Sequence, residues 1–326
     1  MAEPPDRGFA HANPATAIAA AEIHPWPEAV STRMNAPLPT LSVPELTSRV
    51  AALTSFLCGR GPVVVLTGAG CSTESGIPAY RDAEGNWRGR TPVQGQEFAS
   101  DATARRRYWS RSILGWPHFS VAAPNAAHHA LAALEAQGVV ASLITQNVDG
   151  LHQRAGSRAV TELHGSLRTV RCLHCDKRVS RDEVQKRLEA ENPAYATAAS
   201  TPAPDGDASP VEHVPDDFHV PHCESCGGVL KPDVVFFGDS VERSVVQHCM
   251  QAVGSAGALL CVGTSLTVYS GFRFCRHAEA CGVPIVALGI GRTRADDMLA
   301  LKVEAPCGPA LHLLAAELGA GAAIQA

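Results

Sequence analysis

Five residues, Val63-Val64-Val65-Leu66-Thr67, run straight into Gly68-Ala69-Gly70, and no other feature narrows the fold as much. A short β-branched run without polar alternation reads as a strand buried on both faces, the kind found in parallel sheets covered by helices. Upstream, Pro44-Glu45 opens a helix towards Cys58, and Gly59-Arg60-Gly61-Pro62 stops it. The alternation then returns. Ala126 to Gln137 reads as a helix closed by Gly138, Val139 to Thr145 as a strand, and Leu259 to Val262 as another. Phe272 to Cys281 reads as a helix, Pro284 to Leu288 as a strand, and Ala310 to Leu318 as a final helix. The expectation is an α/β fold built on a doubly wound parallel sheet.

Between the two α/β blocks the composition changes. Cys172, Cys175, Cys223 and Cys226 form two C-x-x-C pairs, and a Pro/Ala/Asp-rich stretch runs from Asn192 to Asp217. Two thiolate pairs at this spacing can hold one tetrahedral Zn²⁺. Four cysteines with no spare ligand point to a structural ion, because a catalytic zinc keeps one position open for water. The gap from Cys175 to Cys223 far exceeds the roughly 15 to 20 residues of a compact ribbon; the excess is assigned to the Ala/Pro-rich stretch. His174 and His222 adjoin the ligands and read as bystanders. A small zinc-ribbon domain inserted into the doubly wound domain is the economical layout, and no internal repeat is visible.

Composition removes other classes. At 326 residues the chain has room for two domains of roughly 150 residues each. Its formal net charge of −5 offers no basic excess to neutralise a phosphate backbone, so nucleic acid is not the expected partner. Val63 to Leu66 and Ala258 to Val262 fall far short of the roughly 20 apolar residues a bilayer requires; no membrane association is expected. Eleven cysteines, an odd number with only two local pairs, do not look like a secreted disulfide framework, which implies a reducing compartment, the cytoplasm. Residues 1 to 42 are rich in Ala and Pro without periodicity and read as a flexible tail. Glu3, Asp6, Glu22 and Glu28 in that tail are unlike a presequence, and Met34 is a second candidate start.

Several polar residues sit where ligands of open α/β sheets bind. Gly68-Ala69-Gly70-Cys71-Ser72-Thr73 follows a strand, and small residues there let backbone amides approach an anion. Thr73 stands where a dinucleotide fingerprint has its third glycine, so spacing alone leaves nucleotide binding and an ordinary turn both open. Gln146, Asn147 and Asp149 end the Val139 to Thr145 strand; strand ends place ligands, and polar residues there also form plain turns. His164 follows Thr161-Glu162-Leu163 and can serve as a base or as a hydrogen-bonded structural residue.

Taken in order, these motifs resemble those of a known family. Gly68-Ala69-Gly70 through Ser72, Ser75-Gly76-Ile77-Pro78, Tyr80-Arg81, Thr145-Gln146-Asn147-Val148-Asp149, Leu163-His164-Gly165, the paired cysteines, Lys231 to Gly238 and Gly263-Thr264-Ser265 are similar to the signatures of the sirtuins, NAD-dependent protein-lysine deacylases. The match runs over residues 46 to 318. Arg107-Tyr108-Trp109, Gly115-Trp116-Pro117 and Ala203-Pro204-Asp205-Gly206-Asp207 resemble the class II branch.

The resemblance implies roles residue by residue. His164 takes the position of the general base, which deprotonates a ribose hydroxyl of NAD, and Asn147 and Asp149 act with it around the nicotinamide. Gly68, Ala69, Gly70, Ser72, Thr73, Ile77, Pro78, Tyr80, Arg81 and Gln146 line the cofactor, as do Gly263, Thr264, Ser265, Gly289, Ile290, Gly291 and Cys307. Sirtuins commonly carry Asn where this chain has Gly289, which removes a ribose contact. Val234-Val235-Phe236-Phe237 reads as an edge strand, with a plain core strand as the alternative; by resemblance Val234, Phe236 and Phe237 pair with the extended peptide around an acylated lysine.

Tyr108 and Arg111 share one face of the helical Asp101 to Leu114 segment. Sirtuins that remove succinyl or glutaryl groups use a Tyr-x-x-Arg pair here. A solvated basic face after Arg105, Arg106 and Arg107 is the alternative, and branched acidic, lipoyl and biotinyl groups remain open for the branch.

The implied layout is a tail at 1–42, a Rossmann-like NAD-binding domain at 43–171 and 231–326 with a helical insertion at about 85–125, and a zinc-binding domain at 172–230. A monomer acting on acylated protein lysines with NAD and Zn²⁺ is expected. The rivals are mono-ADP-ribosyl transfer to protein and a non-catalytic zinc-ribbon protein that senses NAD.

Overall fold

The computed structural model describes residues 41–80, 92–197, 200–203, 206–209 and 217–324. Residues 1–40 of the expected tail, Arg81, and Pro204-Asp205 lie outside the described residues. In chain order the first block holds α1 (Val43–Leu57), β1 (Val63–Thr67), α2 (Gly95–Ser100), α3 (Ala102–Val121), α4 (Ala126–Ala136), β2 (Val140–Thr145), α5 (Leu151–Arg154) and β3 (Val160–Glu162). Next come β4 (Gly165–Cys172), β5 (Arg178–Ser180), α6 (Arg181–Glu191), α7 (Pro193–Ala196), β6 (Thr201–Ala203), β7 (Asp207–Ser209) and β8 (Leu230–Val234). The last block holds α8 (Arg243–Gly254), β9 (Ala258–Val262), α9 (Tyr269–Ala280), β10 (Ile285–Leu288), β11 (Leu299–Val303) and α10 (Cys307–Ile324).

Six strands form one parallel sheet in the order β11-β10-β9-β1-β2-β3. All five residues of β1 are buried, as the apolar run requires. Successive side chains point to opposite faces. Val63 and Val65 join Leu53 of α1, Leu131 of α4 and Leu311 of α10, whereas Val64 and Leu66 join Val253 of α8 and Phe274 of α9. The chain leaves β1 towards β2 and β3 on one side, and β9 to β11 lie on the other. The loops after β1 and β9 therefore diverge at the carboxyl edge, which makes the crevice where open α/β sheets bind ligands.

A second sheet, β5-β4-β8, is antiparallel and runs from Gly165 to Val234. It therefore includes residues on both sides of the 172–230 stretch. Helices α2 and α3 share its core: Phe98, Trp109 and Ile113 pack with Val170, Val184, Leu188 and Phe218. Arg181 is buried here, 5.3 Å over the Trp109 ring and 5.0 Å over the Trp116 ring, with Nη2 donating to the Ser112 carbonyl at 3.1 Å. The Asn192 to Asp217 stretch is not all loop, since β6 and β7 pair as an antiparallel hairpin.

Three expectations need correcting. The edge strand over Val234 to Phe237 is displaced: the strand is Leu230–Val234, and Val235 leaves it to donate its amide to the His164 carbonyl at 2.9 Å. Helix α3 runs beyond Leu114 to Val121 despite Pro117, because Trp116 and Phe119 are buried and anchor its last turns. Helices α9 and α10 start three residues earlier than the apolar pattern suggests, at Tyr269 and Cys307; Tyr269 and Ser270 border the crevice, and Cys307 borders it while packing in the core.

Candidate active site

At the carboxyl edge the loops after β1 and β9 touch through their backbones. A Cβ on Gly70 would stand 2.8 Å from the Gly263 carbonyl oxygen, and one on Gly68 would stand 2.7 Å from Thr264 Cβ. Gly263 itself adopts φ +57°, and a Cβ there would meet the Cys71 amide at 2.4 Å. The structure assigns these glycines to close loop contact: Gly68 N donates to Val262 O at 3.1 Å and Gly70 N to Gly263 O at 2.8 Å. Cys71 N and Ser72 N donate to Gly68 O and Ala69 O.

His164 sits just past β3, opposite that contact. Its Nδ1 is 2.9 Å from the Gln146 carbonyl oxygen, and a carbonyl can only accept, so Nδ1 carries the proton. Nε2 is then the lone-pair nitrogen, and Ser270 Oγ donates to it at 2.8 Å. Burial lowers the His164 pKa from its ordinary value, partly offset by the Gln146 bond, and the positive charge of Arg273 lowers it further. The imidazole is thus held neutral, with its basic nitrogen hydrogen-bonded to Ser270, which also borders the cavity. Gln146 is itself fixed, its Nε2 donating to Thr67 O at 3.1 Å and to Thr264 Oγ1 at 3.0 Å.

A second network ties Asn147 and Asp149 to the β1 loop. Asn147 Nδ2 donates to Gly68 O and to Ser72 Oγ, both at 3.0 Å. Ser72 Oγ donates to Asp149 Oδ2 at 2.7 Å, and the Leu151 amide donates to Asp149 Oδ1 at 2.9 Å. Burial raises the Asp149 pKa, partly offset by these bonds. Behind Ser72, His128 Nε2 lies 3.4 Å from Ser72 Oγ, and His152 Nε2 lies 3.0 Å from Thr67 Oγ1. Both imidazoles are buried, which depresses their pKa values to about 4 and about 3.

These groups line one cavity of about 630 Å³. Gly68, Ala69, Gly70, Thr73, Tyr80, Gln146, Asn147 and His164 border it, together with Gly263, Thr264, Ser265, Gly289, Ile290, Gly291 and Cys307. Ser72, Ile77, Pro78 and Asp149 border an adjoining cavity of about 30 Å³ instead. Gly289 has φ +154°, a conformation that L side chains rarely adopt, so an asparagine there would be strained. Tyr108, Arg111, Val234, Phe236 and Phe237 line the opposite wall. Tyr108 packs edge-on to Phe98 at 5.4 Å, and burial pushes its phenol up to about 12. Arg111 is not a free cation: its Nε donates to Asp207 Oδ1 at 2.9 Å and Oδ2 at 3.1 Å.

Sequence reasoning missed Ser270 and Arg273, and it met Asp207 only within the Ala203 to Asp207 class II pattern, with no site role. The first two lie after the Gly263-Thr264-Ser265 stretch, in the first two turns of α9, and carry no motif of their own. Asp207 belongs to a stretch whose Pro/Ala content reads as loop.

The four paired cysteines converge beyond the antiparallel sheet. Cys172 and Cys226 Sγ are 3.5 Å apart, Cys175 and Cys223 Sγ 3.7 Å, and all four lie within 4.8 Å of one another. Sulfurs at about 2.3 Å from a tetrahedral Zn²⁺ stand about 3.8 Å apart, and a disulfide needs about 2.05 Å, so the set fits an ion. The two knuckles are alike. Asp176 at φ 59° and Gly227 at φ 70° each turn left-handed and donate to the carbonyl of the first cysteine, at 3.1 and 2.8 Å. Neither His174 nor His222 belongs to this group.

Comparison with known proteins agrees with this geometry. The Sir2 family profile matches residues 68–270. A protein of Xanthomonas campestris pv. campestris (strain 8004) named "NAD-dependent protein deacetylase" is 53% identical over 269 residues, 82% of this chain and 92% of its own. A Bordetella bronchiseptica protein of the same name is 53% identical over 264 residues, 81% of this chain and 96% of its own. Among solved structures, one described as "Sir2-p53 peptide-NAD+" superposes with TM-score 0.66 at 28% identity, covering 82% of this chain and 98% of that one. The sheet, the strand-end cavity, the four-cysteine cluster and these similarities together establish that the chain belongs to the Sir2, or sirtuin, family.

Proposed function

We propose that the protein is an NAD-dependent protein-lysine deacylase of the class II branch, acting as a monomer in the cytoplasm on acylated protein lysines. The observation that carries the activity is His164: a neutral imidazole on the cavity wall whose protonated Nδ1 is pinned to Gln146 O and whose Nε2 meets the hydroxyl of Ser270, a second cavity residue. NAD supplies an anomeric carbon that becomes electrophilic as nicotinamide leaves. The loops after β1 and β9 and the Gly289-Ile290-Gly291 turn are the surfaces for the dinucleotide. Asn147 and Asp149, braced by Ser72, orient polar groups next to the small adjoining cavity, where the nicotinamide amide would lie. Val234, Phe236 and Phe237 receive the peptide and its acyl-lysine. A ribose hydroxyl that takes the place of Ser270 Oγ at His164 Nε2 would give up its proton there; NAD, acyl-lysine and one water are consumed overall, and nicotinamide, O-acyl-ADP-ribose and free lysine are released. The four cysteines hold Zn²⁺ as a structural brace, remote from the proton transfer.

Orientation within a shielded site is the main source of rate in such chemistry. The test is incubation of the protein with NAD and an acylated-peptide panel, with deacylated peptide and nicotinamide both quantified. Equal amounts of the two products are expected, and added nicotinamide should inhibit. Transfer of ADP-ribose to protein without loss of acyl group would establish mono-ADP-ribosylation instead, and binding of NAD without nicotinamide release would establish a sensor.

A further inference from the structure

The acyl end of the cavity is already electrically balanced. Arg111 and Asp207 are mostly buried, with side-chain exposures of 17% and 28%, and both border the cavity alongside Tyr108 and Phe236. Asp207 is not a chance neighbour. Its Oδ1 also accepts the Ala208 amide at 2.8 Å, and the hairpin carrying it sits against α3 backbone to backbone: a Cβ on Gly115 would stand 2.2 Å from the Gly206 carbonyl oxygen. The next cation on this wall is matched as well. Lys231 Nζ lies 4.3 Å from the Phe236 ring centre, donates to Val234 O, and is 3.6 Å from Asp239.

The Tyr-x-x-Arg pattern therefore implies a carboxylate partner, and the chain itself provides one. An incoming acyl carboxylate would add a third charge to a balanced, poorly hydrated pair, or displace Asp207 and leave it buried without its counterion; both are unfavourable. We propose that Asp207 is a specificity-determining residue that occupies Arg111 as an internal carboxylate, so that the pocket takes uncharged acyl groups and discriminates against succinyl, glutaryl and other dicarboxylate-derived ones. This rests on the deacylase reading above. The geometry also leaves a use for Arg111 in neutral chains. Among the described residues Nε is the atom that contacts both Asp207 oxygens, and the Nη groups are donors suited to an amide, hydroxyl or carbonyl oxygen.

The experiment compares kcat/KM for acetyl-, butyryl-, succinyl- and glutaryl-lysine peptides using full-length, zinc-loaded protein. Wild type, Asp207→Asn, Asp207→Ser, Arg111→Met and the Asp207→Asn/Arg111→Met double variant are assayed. The readout is the succinyl-to-acetyl ratio within each variant, which cancels any loss of folded protein. The ratio is expected below one tenth in wild type. It should rise at least tenfold in both Asp207 variants and fall back when Arg111 is also removed. A wild-type ratio near one, or Asp207 variants with an unchanged ratio, would overturn the proposal. If no peptide is turned over, the deacylase reading fails. The same ratio measured by fluorescence anisotropy of labelled acyl peptides then decides the role of Asp207 separately.

Discussion

The two walls of the crevice are built on different principles. On the parallel-sheet wall each functional group sits within a few residues of a strand end, and the register of β1 against β2 and β9 sets its place: Thr67 lies beside Thr145 on one side and Val262 on the other. On the wall formed by α3, the β6–β7 hairpin and β8, the groups that meet come from distant parts of the chain, as Arg111 and Asp207 do across 96 positions. The first wall is a property of local motifs held by a rigid sheet. The second depends on how a separate core, cemented by Trp109, Arg181 and the four-cysteine cluster, docks its pieces.

Removing one zinc ligand should separate the walls most strongly. Cys223→Ser is expected to abolish stoichiometric zinc by mass spectrometry and to cut deacylation at least tenfold, since zinc contributes on the order of 10 kcal/mol to folding of small cysteine-bound modules. If the walls are independent, NAD binding measured by calorimetry survives in part; complete loss would make the sheet wall equally dependent on the metal.

On the other wall, His164→Ala should lower kcat by about 10²- to 10⁴-fold, the usual contribution of a general base. Its melting temperature should stay close to wild type. Turnover within twofold of wild type would remove His164 from its role.

Gly70→Ala tests the loop contact. The added methyl meets Gly263 O at 2.8 Å, and overpacking of this kind costs about 1–3 kcal/mol. A raised KM for NAD with little change in peptide KM is expected, read from initial rates; a change confined to peptide KM would show that the two walls are not separable there.

The smallest effect concerns pH. A general base at His164 must be neutral to act, so with that role kcat/KM should fall on the acid side as pH drops through the folded-state pKa, which burial, followed by Arg273, sets below the ordinary histidine value. Arg273→Met removes a positive charge that disfavours the imidazolium. The pKa therefore rises and the acid limb moves to higher pH. A limb that stays in place or moves lower would show that Arg273 does not act on His164.

Much of the sheet wall was legible in the residues. The run Val63 to Thr67, Gly68 and Gly70, and the polar residues after Thr145 lie in contiguous stretches whose local pattern encodes strand, turn and crevice. The paired cysteines were legible for the same reason, because each knuckle closes within one short turn. The ends of α3 and the exact extent of β8 were not. Pro117 argues locally for a helix stop, yet burial of Trp116 and Phe119 overrides it; Val234 to Phe237 looks like one strand, yet pairing with His164 and Gln94 divides it.

What the sequence determined by itself is the doubly wound sheet, the four paired cysteines and the place of Gln146, Asn147 and Asp149 just past a strand end, all encoded in short-range spacing. What only the tertiary structure decided is the state in which those groups work. The proton on His164 Nδ1, the hydroxyl of Ser270 at Nε2, and the carboxylate of Asp207 on Arg111 all follow from contacts between residues remote in the chain. Charge and protonation depend on what folding brings within a few ångströms in a poorly hydrated crevice, and sequence spacing carries no record of that distance.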